Sequence, residues 1–336
     1  MNNIQEFLPY ILKHENISRI EDKTLLIGDR RSYPFEKKFY KAENVFEAAS
    51  AIKNMVTQGG GPLEVALNSL VLIAKQNGKC EKAFKEGVTA LINSRPTNTT
   101  MARELKCVLP TIINSFECDN FVSKVEEIVN NRLDYYDSCY DKMSDIGSHL
   151  INDEDGILTT CFPEHSFFLS LYKARLANKK FCVFAPETRP YLQGARLTSS
   201  SLSLMGFDHY LITDNMVGTF MREGKINKYM TAADLALKDL TVVNKIGTFQ
   251  NAVVASVFNI PYYAFSISFD QSKKDINDIV IEYRDSEEVK NFRGVKTTLD
   301  SVNAIYPCFD IIPSKYVSGV ITPDKLFLNG EKRWKH

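Results

Sequence analysis

The sequence predicts an α/β chain, with a mainly helical N-terminal domain over residues 1–145 and a parallel-sheet domain over residues 146–336. Three observations carry this reading. The chain has 336 residues, more than one hydrophobic core usually organises, so two domains are expected. Apolar residues recur at spacings of three and four through the segments between about 44 and 143. From about residue 146, short apolar runs alternate with helix-length segments, the rhythm of strand, crossover and parallel strand.

In chain order, residues 23–41 (KTLLIGDRRSYPFEKKFYK) alternate apolar and polar around a turn-like GDRRS and read as a small antiparallel hairpin. NVFEAASAIKNMV (44–56) has helical periodicity and breaks at TQGGGP (57–62), and two further amphipathic segments follow. SRPTNTTMARELKCVL (94–109) reads as a loop capping another helix, with Thr97 to Thr100 offering N-cap hydroxyls. Residues 121–143 form a long amphipathic helix. The strand candidates of the second half are GILTTC (156–161), KKFCVFAP (179–186), HYLITD (209–214), KYMTAAD (228–234) and IPYYAFS (260–266). Open parallel sheets bind ligands beyond the carboxyl ends of their strands. Cys161, Arg189, Gln193, Asp214 and Asp234 all fall at or just after such ends.

Composition excludes several function classes. Hydrophobic residues at 44% and charged residues at 24% describe an ordinary globular protein. Lys plus Arg and Asp plus Glu both total 41, so no overall charge attracts nucleic acid. The first twenty residues lack the pattern of a secretory signal, and no apolar run has membrane-span length. Seven cysteines without CxxC spacing point to reduced thiols in a cytoplasmic protein, and the five scattered histidines offer no metal pair. Neither a dinucleotide nor an ATP glycine signature follows any strand. No metal, cofactor, nucleic acid or membrane is therefore expected.

The candidates for chemistry each have a plain structural alternative. Cys161 faces the start of a helix near Pro163 or Glu164, where the helix dipole would lower its pKa below about 8.5; the alternative is a buried structural cysteine. Asp234 is either an acid/base with a raised pKa or a helix cap. Asn244 and Lys245 open an amphipathic helix and are positioned to hold a phosphate, or form a turn with a solvated lysine. Arg95 and QGGGP (58–62) lie in helix-breaking loops, where consecutive glycines either nest an anion or merely link. Arg189 and Arg196 either bind a phosphate or pair with Glu187 or an aspartate. Gln193-Gly194 sets an amide donor beside a residue that permits close approach of a ligand.

Taken together, ETRPYLQGARLTSSSL (187–202), LITDNM, AAD, VNKIGT and FDIIP occur in an order that strongly resembles the methylthioribose-1-phosphate isomerase family. That superfamily also holds ribose-1,5-bisphosphate isomerases and regulatory subunits of initiation factor two B. The likeness runs from AIKNMVTQGGGP (51–62) to YPCFDIIPSKYVSGVITPD (306–324). It implies a Rossmann-like second domain, a homodimer, and cofactor-independent conversion of an aldose 1-phosphate into a ketose 1-phosphate. By resemblance, Asp234 is the acid/base at the ring oxygen and Cys161 the assisting thiol. The substrate contacts are Gln58, Gly59 and Gly60 of the first loop, Arg95, Gln193, Asn244 and Lys245. Two segments depart from the family pattern. QGGGP replaces RGAP, removing an arginine and adding a residue, and CFPEH replaces CNxG, bringing Glu164 close to the thiol. These departures imply a different sugar phosphate. The competing function is a non-catalytic sugar-phosphate or nucleotide sensor, or an assembly subunit of the initiation factor two B type. That branch lacks the cysteine–aspartate pair, so the pair favours an isomerase.

Overall fold

The computed structural model describes residues 4–330 apart from Thr97 and Lys274. The chain divides into two compact units, Met1–Ser138 and Cys139–His336.

After two short 3-10 turns, Ile4–Phe7 and Tyr10–Leu12, the N-terminal unit has the single-turn helix α1 (His14–Ile17) and strands β1 (Ser18–Glu21), β2 (Thr24–Gly28) and β3 (Phe39–Ala42). The expected hairpin is present as β2 and β3, and β1 joins it antiparallel as a third strand. Helices α2 (Val45–Lys53), α3 (Gly61–Asn77), α4 (Glu81–Ser94) and α5 (Thr99–Asn114) follow, and α6 (Phe121–Leu150) carries the boundary between the units. Asn44 caps α2 by accepting from the N–H groups of Phe46 and Glu47, the role its side chain suits best. Asn98 caps α5 through the Met101 N–H. This corrects the expectation of a threonine cap, of which Thr97 lies outside the described residues. Gly61 and Pro62 belong to the first turn of α3, with proline in the place where its missing N–H costs nothing.

The second unit contains β4 (Asp155–Leu158), α7 (Glu164–Leu176), β5 (Phe181–Pro186), α8 (Ser200–Leu204), β6 (His209–Ile212), α9 (Val217–Arg222), β7 (Lys228–Ala232), β8 (Leu235–Ala236), β9 (Val242–Lys245), α10 (Thr248–Val257) and β10 (Tyr262–Phe265). Next come α11 (Glu287–Lys290), the ribbon β11 (Asn291–Phe292) and β12 (Val295–Lys296), then β13 (Phe309–Ile312), β14 (Gly319–Ile321) and β15 (Leu326–Leu328).

The main sheet has the order β15-β14-β10-β7-β4-β5-β6. All pairs are parallel except β14 with β15. All five strand candidates of this half lie in it. The order is the doubly wound one: the chain runs outward from β4 through β5 and β6, then returns to β7 on the other side of β4. The crevice of such a sheet opens between β4 and β7. Both strands are covered on two faces, which is why they read as apolar runs rather than alternating ones. Tyr229 and Tyr262 stack at 4.4 Å in the middle of the core, both with no accessible surface.

A second, antiparallel sheet, β13-β9-β8, leaves the crevice side directly after β7. Hydrophobic patterning does not reveal its strands, the longest of which has four residues. Asn244 and Lys245 lie in strand β9 rather than at a helix start, and α10 begins only at Thr248. Among the described residues no helix is long and apolar enough to cross a membrane.

Candidate active site

Cys161 follows β4 and Asp234 follows β7, so the two residues assigned to chemistry leave the two strands that flank the switch point. The Cys161 thiol is close enough to the Asp234 carboxylate and the Lys245 ammonium to feel both charges. Asp234 is exposed, and its N–H donates to the Val243 carbonyl at 2.9 Å, which fixes the start of the β8–β9 hairpin. A strand follows it, so it does not cap a helix. Lys245 is buried in β9, with Nζ 4.8 Å from the centre of the Phe309 ring and no ion-pair partner among the described residues. Asn244 is buried beside it and donates to Thr248 Oγ1 at 3.1 Å.

The expectation of a thiolate at Cys161 is overturned. Burial pushes the thiol up to about 11, and Asp234 and Glu164 push the same way. Lys245 and the hydrogen bond from the Phe162 backbone pull downward without prevailing. Removing water from around a sulfur penalises the charged form more than one nearby lysine favours it. Cys161 therefore carries its proton at neutral pH.

The segment 187–202 supplies the frame around this thiol. Cys161 holds a left-handed backbone, φ 62°, as does Thr188 at the same φ. Such conformations cost about 1–3 kcal/mol each outside glycine and persist only where the surroundings impose them. Here they do. The Cys161 N–H donates to Thr188 Oγ1 at 3.1 Å, and the Cys161 carbonyl accepts from Thr198 Oγ1. The Asp214 carboxylate in turn accepts the N–H groups of Thr188 and Arg189, both at 2.8 Å.

The Arg189 guanidinium donates to the carbonyls of Pro190, Val289 and Asn291 and lies over Phe292. It pins the β11 segment, and its donors go to backbone carbonyls instead of to an anion or an acidic partner. Gly194 also differs from expectation. A Cβ there would lie 1.7 Å from the Pro186 carbonyl oxygen, so the glycine admits the protein's own backbone, not a ligand. Gln193 is buried, and its Oε1 has no hydrogen-bond partner among the described residues. Natural interiors rarely leave such an atom unsatisfied.

The start of α10 is likewise occupied. The N–H groups of Gly247 and Phe249 donate to Asp310 Oδ2 at 2.7 and 2.9 Å, so the carboxylate of FDIIP fills the helix terminus expected to face a phosphate. Beneath the crevice, Tyr229 OH lies 2.6 Å from Thr160 Oγ1, which accepts from Asn251 at 3.2 Å. Thr160 is the neighbour of Cys161, so this buried network anchors the strand end that carries the thiol. No short-range sequence signal marks Thr160, Tyr229 or Asn251, because their partners come from separate elements.

In the N-terminal unit, the Gln58 carbonyl accepts from Arg30 Nη1 at 2.6 Å, and Arg30 Nη2 also donates to Ile11. Gly59 has φ 60°, a conformation that glycine adopts freely. Gln58 Oε1 and Arg95 Nη1 are both buried without a hydrogen-bond partner among the described residues. The structure thus groups Cys161, Asp234 and Lys245 in the second unit, and places Gln58, Gly59, Gly60 and Arg95 in the first.

Comparison with known proteins bears on this arrangement. The chain matches the initiation factor 2 subunit family over residues 63–324. The methylthioribose-1-phosphate isomerase of Petrotoga mobilis is 33% identical over 323 residues, spanning 89% of this chain and 91% of that protein. The methylthioribose-1-phosphate isomerase of Caldanaerobacter subterraneus is 31% identical, spanning 93% and 95%. Among solved structures, 5-methylthioribose 1-phosphate isomerase of Pyrococcus horikoshii superposes with a TM-score of 0.82 at 28% identity, over 93% of this chain and 92% of that one. Translation initiation factor eIF-2B subunit delta of A. fulgidus gives 0.79 at 28% identity, over 94% and 96%. With its sheet order, its strand-end thiol and carboxylate and these relatives, the chain belongs to the initiation factor 2 subunit family.

Proposed function

We propose that this protein is a cofactor-independent aldose–ketose isomerase acting on a sugar 1-phosphate, with Asp234 and Cys161 as its reacting groups. The observation that carries the reading is their placement at the two strand ends of the switch point, within electrostatic reach of each other and of Lys245. An aldose 1-phosphate has no free aldehyde, so its ring must open before hydrogen moves from C2 to C1. The ring oxygen gains a proton, the 2-hydroxyl loses one, and the protein ends in the protonation state in which it began. Asp234 is proposed to exchange the proton at the ring oxygen. Cys161 assists at C2 as a thiol that carries its proton. Lys245 and Asn244, buried beside it, are proposed to receive the phosphate, with Gln193, Arg95, Gln58, Gly59 and Gly60 as further substrate contacts.

The substrate is proposed to be a sugar phosphate other than methylthioribose 1-phosphate. Gly59 or Gln58 stands where the isomerase pattern has arginine, and losing a charge-assisted contact costs about 1.5–3 kcal/mol. Glu164 adds a negative charge near the thiol. These two departures also favour a second reading, a non-catalytic sugar-phosphate or nucleotide sensor. A panel of pentose 1-phosphates assayed with the wild type, Cys161→Ser and Asp234→Asn separates the two. Turnover of a panel member that both substitutions abolish supports the isomerase. Turnover that survives both sinks the assigned roles, and thermal stabilisation by a panel member without any turnover supports the sensor.

A further inference from the structure

We propose that Thr198, together with the Thr188–Asp214 pair, positions the Cys161 thiol by clamping the backbone of that residue on both sides. The inference rests on the assignment of Cys161 to the reaction. Thr198 Oγ1 donates to the Cys161 carbonyl, and Thr188 Oγ1 accepts the Cys161 N–H at 3.1 Å. Neither Thr198 nor Ser201 has any accessible surface. Its hydroxyl thus meets a backbone carbonyl in the crevice and no solvent.

Thr188 is held in turn. Its own backbone is left-handed, and its N–H and that of Arg189 are both taken by the Asp214 carboxylate, one oxygen each. Asp214 follows β6, the edge strand of the sheet, two strands away from β4. The rotation of a backbone peptide aims the side chain that follows it. A residue held at φ 62° directs its Cβ where an extended loop would not, so the clamp sets the direction of the sulfur. The two threonines and the aspartate touch no reacting atom in this reading. They act through Cys161.

The test uses the full chain with Thr198→Val, which keeps the shape and removes the donor, and Thr198→Ser, which keeps the donor. The first readout is alkylation of Cys161 by iodoacetamide, followed by peptide mass mapping with the exposed Cys80 as internal reference. The expected result is a rate at Cys161 at least about fivefold faster in Thr198→Val, as the freed loop exposes the sulfur, and a return to within about twofold of wild type in Thr198→Ser. With a pentose 1-phosphate that the wild type turns over as probe, kcat falls about tenfold in Thr198→Val while KM stays within about twofold, the signature of a misplaced reacting group. A Cys161 alkylation rate that is unchanged or slower in Thr198→Val overturns the inference. Should that variant not fold, Asp214→Asn carries the test, because one of its two acceptor oxygens becomes an amide that cannot accept. If Cys161→Ser leaves turnover intact, the catalytic role of the thiol fails, whereas the alkylation readout still decides the clamp.

Discussion

The most telling perturbation lies in the N-terminal unit, at His14. Its Nδ1 is 2.8 Å from Glu64 Oε2 and its Nε2 is 3.1 Å from Asp137 Oδ2. Gln5 completes the group by donating to Asp137 and accepting the His14 N–H. Burial disfavours the imidazolium, but hydrogen bonds and charges from Asp137 and Glu64 outweigh it and raise its pKa from 6.5 to about 10. That shift corresponds to a ceiling of about 5 kcal/mol of preference for the charged form. Glu64 lowers the ceiling. Burial raises its own pKa despite His14 and Arg30, so the ion pair does not fully offset its loss of water. Removing one partner of such a pair costs about 3–5 kcal/mol, since the carboxylates stay buried without their counter-charge.

His14→Leu therefore lowers the urea midpoint of the wild-type transition by at least about 1 M at pH 6.5, followed by far-UV circular dichroism. The pH dependence has a definite sign. A group whose folded pKa is raised stabilises fully below its unfolded value, so the contribution is complete below pH 6.5. It declines as pH rises and is gone above about 10, so the gap between wild type and His14→Leu closes across that window. Equal midpoints at pH 6.5, or a gap of constant size up to pH 10.5, would refute the reasoning. Glu64 sits in the first turn of α3, directly after the Gln58–Gly60 loop.

Two further outcomes are expected. Gly194→Ala places a methyl 1.7 Å from the Pro186 carbonyl oxygen and 2.9 Å from Thr188 Oγ1, so it destabilises the second unit by about 3 kcal/mol or more, read as a fall in the thermal midpoint; an unchanged midpoint shows that the backbone approach is softer than drawn. Alkylation of native wild-type Cys161 rises with pH without levelling off before about pH 10, because the thiolate forms only near 11; a plateau by pH 8 means that Lys245 governs the thiol rather than burial.

The candidate site was legible in part, and the division has a physical cause. Residue type and strand-end position made Cys161 and Asp234 candidates, since both properties are local and the crossover rhythm told where the strands end; their proposed roles came from the family resemblance. The direction of the Cys161 pKa was not local. The helix terminus next in sequence argued for a thiolate, whereas burial decides the matter, and the Asp234 charge that adds to it comes from a separate strand end. The same holds for Asp310, 63 residues from the Gly247 N–H that it occupies. The two arginines of 187–202 looked like anion binders by charge alone. Partnership changes that for Arg189, whose donors go to backbone carbonyls about 100 residues away.

By itself, the sequence determined the helical-then-parallel organisation, the five strands of the main sheet and the family, and it nominated Cys161 and Asp234 for the chemistry. Hydrophobic periodicity and side-chain chemistry are written residue by residue, so they survive without coordinates. Only the tertiary structure decided which strands are neighbours, that β4 and β7 flank the switch point, and which hydrogen-bond donors are already spent. Strand order, burial and partnership are properties of pairs of distant segments. No window along the chain contains both members of such a pair.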